Sequence, residues 1–416
     1  MNPRLLLFTA VIVLGAGTAA GADAWPELRG PTGQGHSSAK NLPREWSKDK
    51  NVAWKQTIPG VGWSSPVVAA GRVYLTTAVP GDKSGTQSLR ALCLEAATGK
   101  ILWDNEIFTQ DAKSPGIHSK NSHASPTPLI DDQRLYVHFG HQGTACLDLE
   151  GQILWRNRAQ TYAPVHGNGG SPIVVDKALI FSCDGSDQRY VVALDKNTGK
   201  QLWKTDRPGH PVKGFSFHTP LLITVNEHKQ VISAGSDVVS AYDPATGREI
   251  WRVRYTGYSV IPRPVFGQGL VFIITGFDSP SLLAIRPDGE GDVTDTHVAW
   301  KLRKGVPLTP SLLLVGEELY MVSDNGLASC LDARTSKEHW QKRIGTAFSA
   351  SPLYADGKIY FQSEDGIGTV IKPGKQYEQL ARNSLGERTL ASYAAIDGAL
   401  FIRTEKHLYR IQKQDP

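Results

Sequence analysis

The chain has 416 residues, 40% of them hydrophobic, with 41 Gly, 25 Pro and only 2 Met. That is ample apolar material for a large core, and it points to many turns and few long helices. A formal charge of +5 is too small for this length to mark a nucleic-acid or anionic-membrane surface.

In chain order, the first element is a targeting segment. Arg4 precedes the apolar run from Leu5 to Gly17, and the small residues of "GTAAGADAW" follow. Residues 1–22 read as a signal peptide, with cleavage after Ala22 or Ala24. The run is too short for a membrane span, and no Cys follows it to carry a lipid. Residues 25–416 are expected to form one exported domain, periplasmic or extracellular.

The next element is "NVAWKQ" around Trp54, an outer strand with no partner strands before it. After it a two-part unit recurs. Its first half is a small residue, Pro, alternating apolar residues, a turn and a second strand, as in "SSPVVAAGRVYLTTA" from Ser64 and "GSPIVVDKALIFSCDG" from Gly170. Its second half is clearest in "ALDKNTGKQLW", ending at Trp203, and "AYDPATGREIW", ending at Trp251. Weaker copies end at Trp103, Trp155, Trp300 and Trp340. From Trp54 onward these Trp residues are 49, 52, 48, 48, 49 and 40 positions apart. A period near 48 suits a four-stranded propeller blade. Within each phrase the Asp can accept hydrogen bonds from the turn it opens, the Gly supplies a positive φ, and the Trp docks between neighbouring blades.

The first halves number eight, the last being "ASYAAIDGALFIRTEKHLYRIQ" from Ala391. That copy lacks an outer strand, and the Trp54 strand lacks everything else. The expectation is an all-β, eight-bladed β-propeller closed by the Trp54 strand in the last blade. The seventh copy has Glu378 in place of Trp, so Tyr377 or Leu380 is expected to dock there. Cys93, Cys146 and Cys330 share a similar context, which predicts that they and Cys183 are free, buried thiols.

Strand alternation puts the loops before the inner strands and the loops between second and third strands at one end of the ring. The first set carries His118, Lys120, Asn121, His123, His166, Asn168, His218, Tyr258 and Arg263. The second adds His138, His141, Asp184, Asp324, Asn325, Glu364 and Asp365. We read these as a polar mouth over the channel for a small polar or anionic ligand, with Arg263 as a fork for carboxylate or phosphate. The competing reading is that they satisfy backbone carbonyls and waters inside the channel. No tight metal motif is present: His118 and His123 lie five apart on a loop, and no acidic loop matches an EF-hand. No nucleophile–base pair is ordered, so no catalytic residue is assigned.

The phrase A-x-D-x-x-T-G-x-x-x-W at 193–203 and 241–251 resembles the tryptophan-docking motif of the pyrroloquinoline quinone (PQQ) repeat propellers. "WPELRGPTGQG" from Trp25 is similar to the start of a secreted bacterial branch of that family. The family holds quinoprotein dehydrogenases and non-enzymatic relatives, including the propeller lipoprotein of the outer-membrane assembly machine. The resemblance implies either an exported, non-catalytic scaffold that binds a ligand or an envelope protein, or a PQQ- and calcium-dependent dehydrogenase of alcohols or sugars. The enzymes generally use carboxylate and amide calcium ligands, a Trp floor and often a vicinal Cys pair. Here no two Cys are adjacent, Trp63 is the only Trp near a channel-facing loop, and Asp324, Asn325 and Glu364 are the available ligands. The reading adopted is the monomeric scaffold, without enzyme activity, assigned cofactor or nucleic-acid partner.

Overall fold

The computed structural model describes residues 24–414, so the targeting segment 1–22 lies outside the described residues. Eight antiparallel sheets of four strands follow one another around a ring. Blade 1, for example, comprises Val67–Ala69, Arg72–Pro80, Gln87–Glu95 and Ile101–Gln110, from the axis outward. The inner strands of blades 2 to 8 begin at Leu129, Ile173, Leu221, Val265, Leu313, Leu353 and Ala394. Two short parallel strands are added: Gly291–Asp292 outside blade 4, and His36–Ser37 inside blade 7. The helical structure among the described residues is one turn at Thr294–His297 and a 3-10 turn at Gly140–Gln142.

Blade 8 is built from both ends of the chain. Val52–Thr57 runs antiparallel to His407–Gln412, with Trp54 opposite Arg410. The bonds that hold this blade together therefore also lock the ring.

The outer hairpins repeat one solution. Asp195 Oδ1 accepts from the Asn197 and Thr198 amides, and Asp243 and Asp332 do the same in blades 4 and 6. Gly199 has a φ of +69°, and a Cβ there would lie 2.5 Å from the Trp155 ring of the preceding blade. Glycine is required twice over, for its backbone and for the close approach. Trp54, Trp103, Trp155 and Trp203 each donate through Nε1 to a turn carbonyl of the following blade, at 2.9–3.1 Å. Trp300 and Trp340 do likewise, to Ala333 and Gly374. Trp251 reaches blade 5 through a relay: it donates to Gln230 Oε1, and Gln230 donates to the Pro287 carbonyl.

Blade 7 departs from the expected docking residues. Ala381, opposite Val370, occupies the register that Trp340 holds opposite Cys330. Tyr377 packs edge-on against Trp340, at the blade 6 side. Leu380 is only partly buried, at the margin of the core that Trp46 enters. Trp46, from the N-terminal segment, bridges Tyr360 of blade 7 and Tyr393 before blade 8. Its ring lies over Gly368 of the third strand of blade 7, where a Cβ would collide with it. All four cysteines are buried and unpaired. Three of them sit opposite a Tyr of the second strand, at Tyr74–Cys93, Tyr136–Cys146 and Tyr320–Cys330.

Candidate functional site

The innermost strands are preceded by a hydroxyl residue in seven of eight blades, and these hydroxyls stitch the blades together. Ser65 N donates to Thr127 Oγ1, Thr127 N to Ser171 Oγ, and Ser171 N to Thr219 Oγ1. Beyond blade 5, Arg263 N donates to Ser311 Oγ, Ser311 N to Ser351 Oγ, Ser351 N to Ser392 Oγ, and Ser392 N returns to Ser65 Oγ. The seven bonds measure 2.9–3.1 Å. The circle is interrupted once, because blade 5 presents Arg263 where a hydroxyl would accept from Thr219.

One end of the channel is closed by the N-terminal segment. Trp25 exchanges two backbone hydrogen bonds with Val68 of blade 1, and the Pro26 carbonyl accepts from Ile130 of blade 2. The chain then crosses the axis. Arg263 Nη1 donates to the Leu28 carbonyl, Arg29 donates to the Leu312 carbonyl, and Gln34 Oε1 accepts from the Phe266 amide. His36–Ser37 then pairs with blade 7, and the Lys40 amide donates to Asp397 of blade 8. Leu28 lies in the floor of the resulting blind cavity, whose volume is about 490 Å³.

The opposite end is the open mouth. Bridges from Val61 to Ala78, Tyr258 to Phe277, and Phe348 to Ser363 join pre-strand loops to the ends of second strands and the loops beyond them, so both loop sets lie together. One wall is aromatic. Edge-to-face contacts run from His118 to His166 (5.6 Å), His166 to Phe215 (5.4 Å) and Phe215 to Tyr258 (5.5 Å), with Phe217 beside Phe215. The rest of the lining includes Trp63, Leu390, Ser349 and Asp324. Lys120, on the loop before blade 2, spans to Glu364 of blade 7 at 2.8 Å and forms a bar at the rim.

The expected mouth residues divide. His118, Asn121, His166, Arg263 and Asp324 line the cavity. His118 and Asn121 are clasped to the next loop: the His118 amide and the Asn121 side chain both donate to the His166 carbonyl. Glu364 reaches the rim through Lys120 and also accepts from Ser349. The others serve the walls. His123 pairs with Gln110, and burial lowers its pKa. Asn168 is held by Tyr162 and His141. Asn325 accepts from Ser323 within its own turn.

His218 lies in a buried network between blades 3 and 4. Its Nε2 faces Ser233 Oγ at 2.9 Å. Arg207 joins the same serine to Asp184 through a bidentate pair of 2.7 and 3.0 Å. Burial, then the Arg207 charge, drives the His218 pKa well below its usual value. His138, hydrogen-bonded to Thr144, is pushed down to about 3 by burial and by His141.

Arg263 is not the free fork expected of it, because it is engaged on three sides. Its Nε donates to the Pro220 carbonyl, its Nη1 to Leu28, and its Nη2 faces Glu27 at 3.4 Å. Burial raises the Glu27 carboxyl above the usual range, against the pull of Arg263. The hydroxyl circle and the two phenylalanines of the aromatic wall, Phe215 and Phe217, escaped the sequence reading. The Ser-Pro and Thr-Pro openings carried the only signal, and they read as small residues at strand starts.

A calcium-bound quinone can be set against these groups. Calcium takes six or more oxygens, usually with several carboxylates. The cavity lining offers one carboxylate, Asp324. It already accepts from the Leu308 amide, the Thr309 amide and the Thr309 hydroxyl. Among the described residues no three His, Cys, Asp or Glu side chains gather as a metal cluster. The donor set does not fit that metal.

A family model described as outer membrane protein assembly factor BamB matches residues 48–204, 187–307 and 289–375. The outer membrane protein assembly factor BamB of Yersinia pestis is 27% identical over 203 residues, 44% of this chain and 49% of that protein. Subunit 1 of the cytochrome c methanol dehydrogenase of Methylobacterium organophilum is 30% identical over 156 residues, 31% of this chain and 23% of that protein. The matched stretches thus span less than half of those relatives' own lengths. Among solved structures, quinohemoprotein alcohol dehydrogenase from Comamonas testosteroni superposes with a TM-score of 0.70 at 13% identity, over 95% of this chain and 81% of that one. BamB from Moraxella catarrhalis gives 0.59 at 14% identity, over 88% and 99%. Those two likenesses speak for the fold alone. The family match covers most of the chain, which belongs to the PQQ-repeat propeller family represented by the outer membrane protein assembly factor BamB.

Proposed function

We propose that this protein is an exported, non-catalytic propeller that acts as a binding scaffold, with the blind cavity as its receptacle for a small polar ligand. The observation that carries the reading is the plugged channel: a cavity of about 490 Å³ with a floor, a hydroxyl-bearing waist and a rim of His118, Asn121 and His166. Concave sites with a few convergent polar groups are where small ligands bind. The engaged oxygens of Asp324, the single lining carboxylate, weigh against the quinone–calcium alternative. Relatives that are outer membrane protein assembly factors support an envelope protein as a second class of partner, and the signal-like N-terminus supports export.

The test is direct. The purified mature protein is mixed with PQQ and calcium, desalted, and assayed for quinone absorbance and dye-linked oxidation of alcohols and sugars. The expected outcome is neither stoichiometric retention nor turnover. Retention with turnover would overturn the non-catalytic reading.

A further inference from the structure

The buried charges of the ring are unbalanced. Among the described residues, four arginines and one aspartate are buried: Arg29, Arg207, Arg263 and Arg403 against Asp184. Arg207 is matched by Asp184, and Arg263 faces Glu27. Arg29 and Arg403 have only carbonyl and hydroxyl acceptors among the described residues. Arg29 Nε and Nη1 have no partner there. Both arginines touch the hydroxyl circle at one remove, through Leu312 beside Ser311 and Ser64 beside Ser65. Buried cations without matching anions are costly, and an anion nearby offsets that cost.

The gap in the circle lies beside Arg263 rather than Arg29 or Arg403, and it leaves a backbone donor open to an anion in the cavity. At the seven other positions the backbone N–H is taken by the hydroxyl of the next blade. Thr219 N–H has no such acceptor among the described residues, because Arg263 replaces the hydroxyl. Thr219 Oγ1 and Ser311 Oγ each accept one amide and keep their own proton to give. Thr219, Arg263 and Ser311 all line the cavity, and they are only 3, 3 and 5% exposed. Phe215, Phe217 and Tyr258, from the loops before blades 4 and 5, line the same cavity.

We infer that this gap is an oxyanion seat: a carboxylate carried on a six-membered ring enters the cavity, its anion accepting from Thr219 and Ser311 beside Arg263, its ring against the aromatic wall. The inference rests on the receptacle reading and deepens it by naming the ligand chemistry. Charge-assisted bonds from hydroxyl donors to an oxyanion are short and about twice as strong as neutral ones.

Two matched pairs of probes distinguish the sugar and aromatic sources of such a group: D-glucuronate with D-glucose, and benzoate with benzamide. Calorimetric titration of the mature protein at pH 7 is expected to show at least one acid binding about tenfold tighter than its neutral twin. Thr219→Val, which removes the hydroxyl, is expected to abolish that preference, and Thr219→Ser to keep it. Melting curves establish that both variants are folded; if the Val variant is not, the twin comparison on the unaltered protein decides. Acid and neutral twin binding within about twofold of each other would overturn the seat and leave the receptacle standing. An acid preference unchanged in Thr219→Val, or no acid binding below about 10 mM, would also overturn it. The receptacle itself is judged separately: binding of a neutral probe supports it whatever the acids do.

Discussion

The outer rim and the inner mouth of this ring solve opposite problems. At the rim, every blade must hold its neighbour, and nearly the same groups do so each time. The Gly99, Gly151, Gly199 and Gly247 turns receive Trp54, Trp103, Trp155 and Trp203 in turn. A docked Trp buries on the order of 150–250 Å², worth roughly 4–6 kcal/mol as an upper bound. At the mouth, the loops share a backbone position but not a composition: histidines before blades 2 and 3, phenylalanines before blade 4, Tyr258 before blade 5. Repetition marks where stability is concentrated. Its loss marks where the ring is free to specialise.

That contrast can be broken by mutation. Trp251 is fully buried, and Trp251→Ala is expected to cost about 3–5 kcal/mol in denaturant unfolding while leaving probe binding at the mouth unchanged. An equal loss of binding would join the two regions energetically and defeat the contrast. The next effect belongs to the wall between them. His138 is neutral when buried, with its pKa pushed down to about 3, but takes a proton near 6.5 when unfolded. Its contribution is therefore complete above pH 6.5 and falls by up to about 1.4 kcal/mol per pH unit below it. His218, lowered in the same direction, adds to that slope with the same sign. Unfolding measured between pH 6.5 and 5 is expected to lose about one proton of dependence in His138→Gln; an unchanged slope would place that proton elsewhere. The smallest effect is at the rim of the mouth. His166 is exposed with a φ of +65°, which Asn tolerates. His166→Asn is expected to shift stability by no more than about 0.5 kcal/mol. A larger loss would make His166 a structural strut rather than a rim group.

The fold was legible because its docking phrases are local. Asp195, Gly199 and Trp203 lie within nine residues, and each acts through bonds made by its own hairpin or the next one. The Trp54 closure was legible too, since two incomplete units could only complete each other. The seventh blade was not. Trp46 docks there from a segment with no repeat signature, so no spacing announced it. The mouth was half legible. Alternation placed the loops at one end, but not which side chains turn inward. His218 was read as a channel group, yet it enters the Arg207–Asp184 network, while Phe215, three residues before it, lines the cavity. Arg263 stood out as a charge before a strand. What it replaces, a hydroxyl in a circle of seven, is visible only once the circle has been drawn.

The segment from Trp25 to Thr57 supplies the cavity floor, the inner edge of blade 7, the wedge at Trp46 and the closing strand of blade 8. The earliest-made part of the domain is thus the last that can settle, because its partners lie as far along the chain as Gln414. Such distant pairings make folding slow. They also mean that no partly wound intermediate owns a bottomed cup: occupancy of the cavity is a certificate that the whole circuit has been completed.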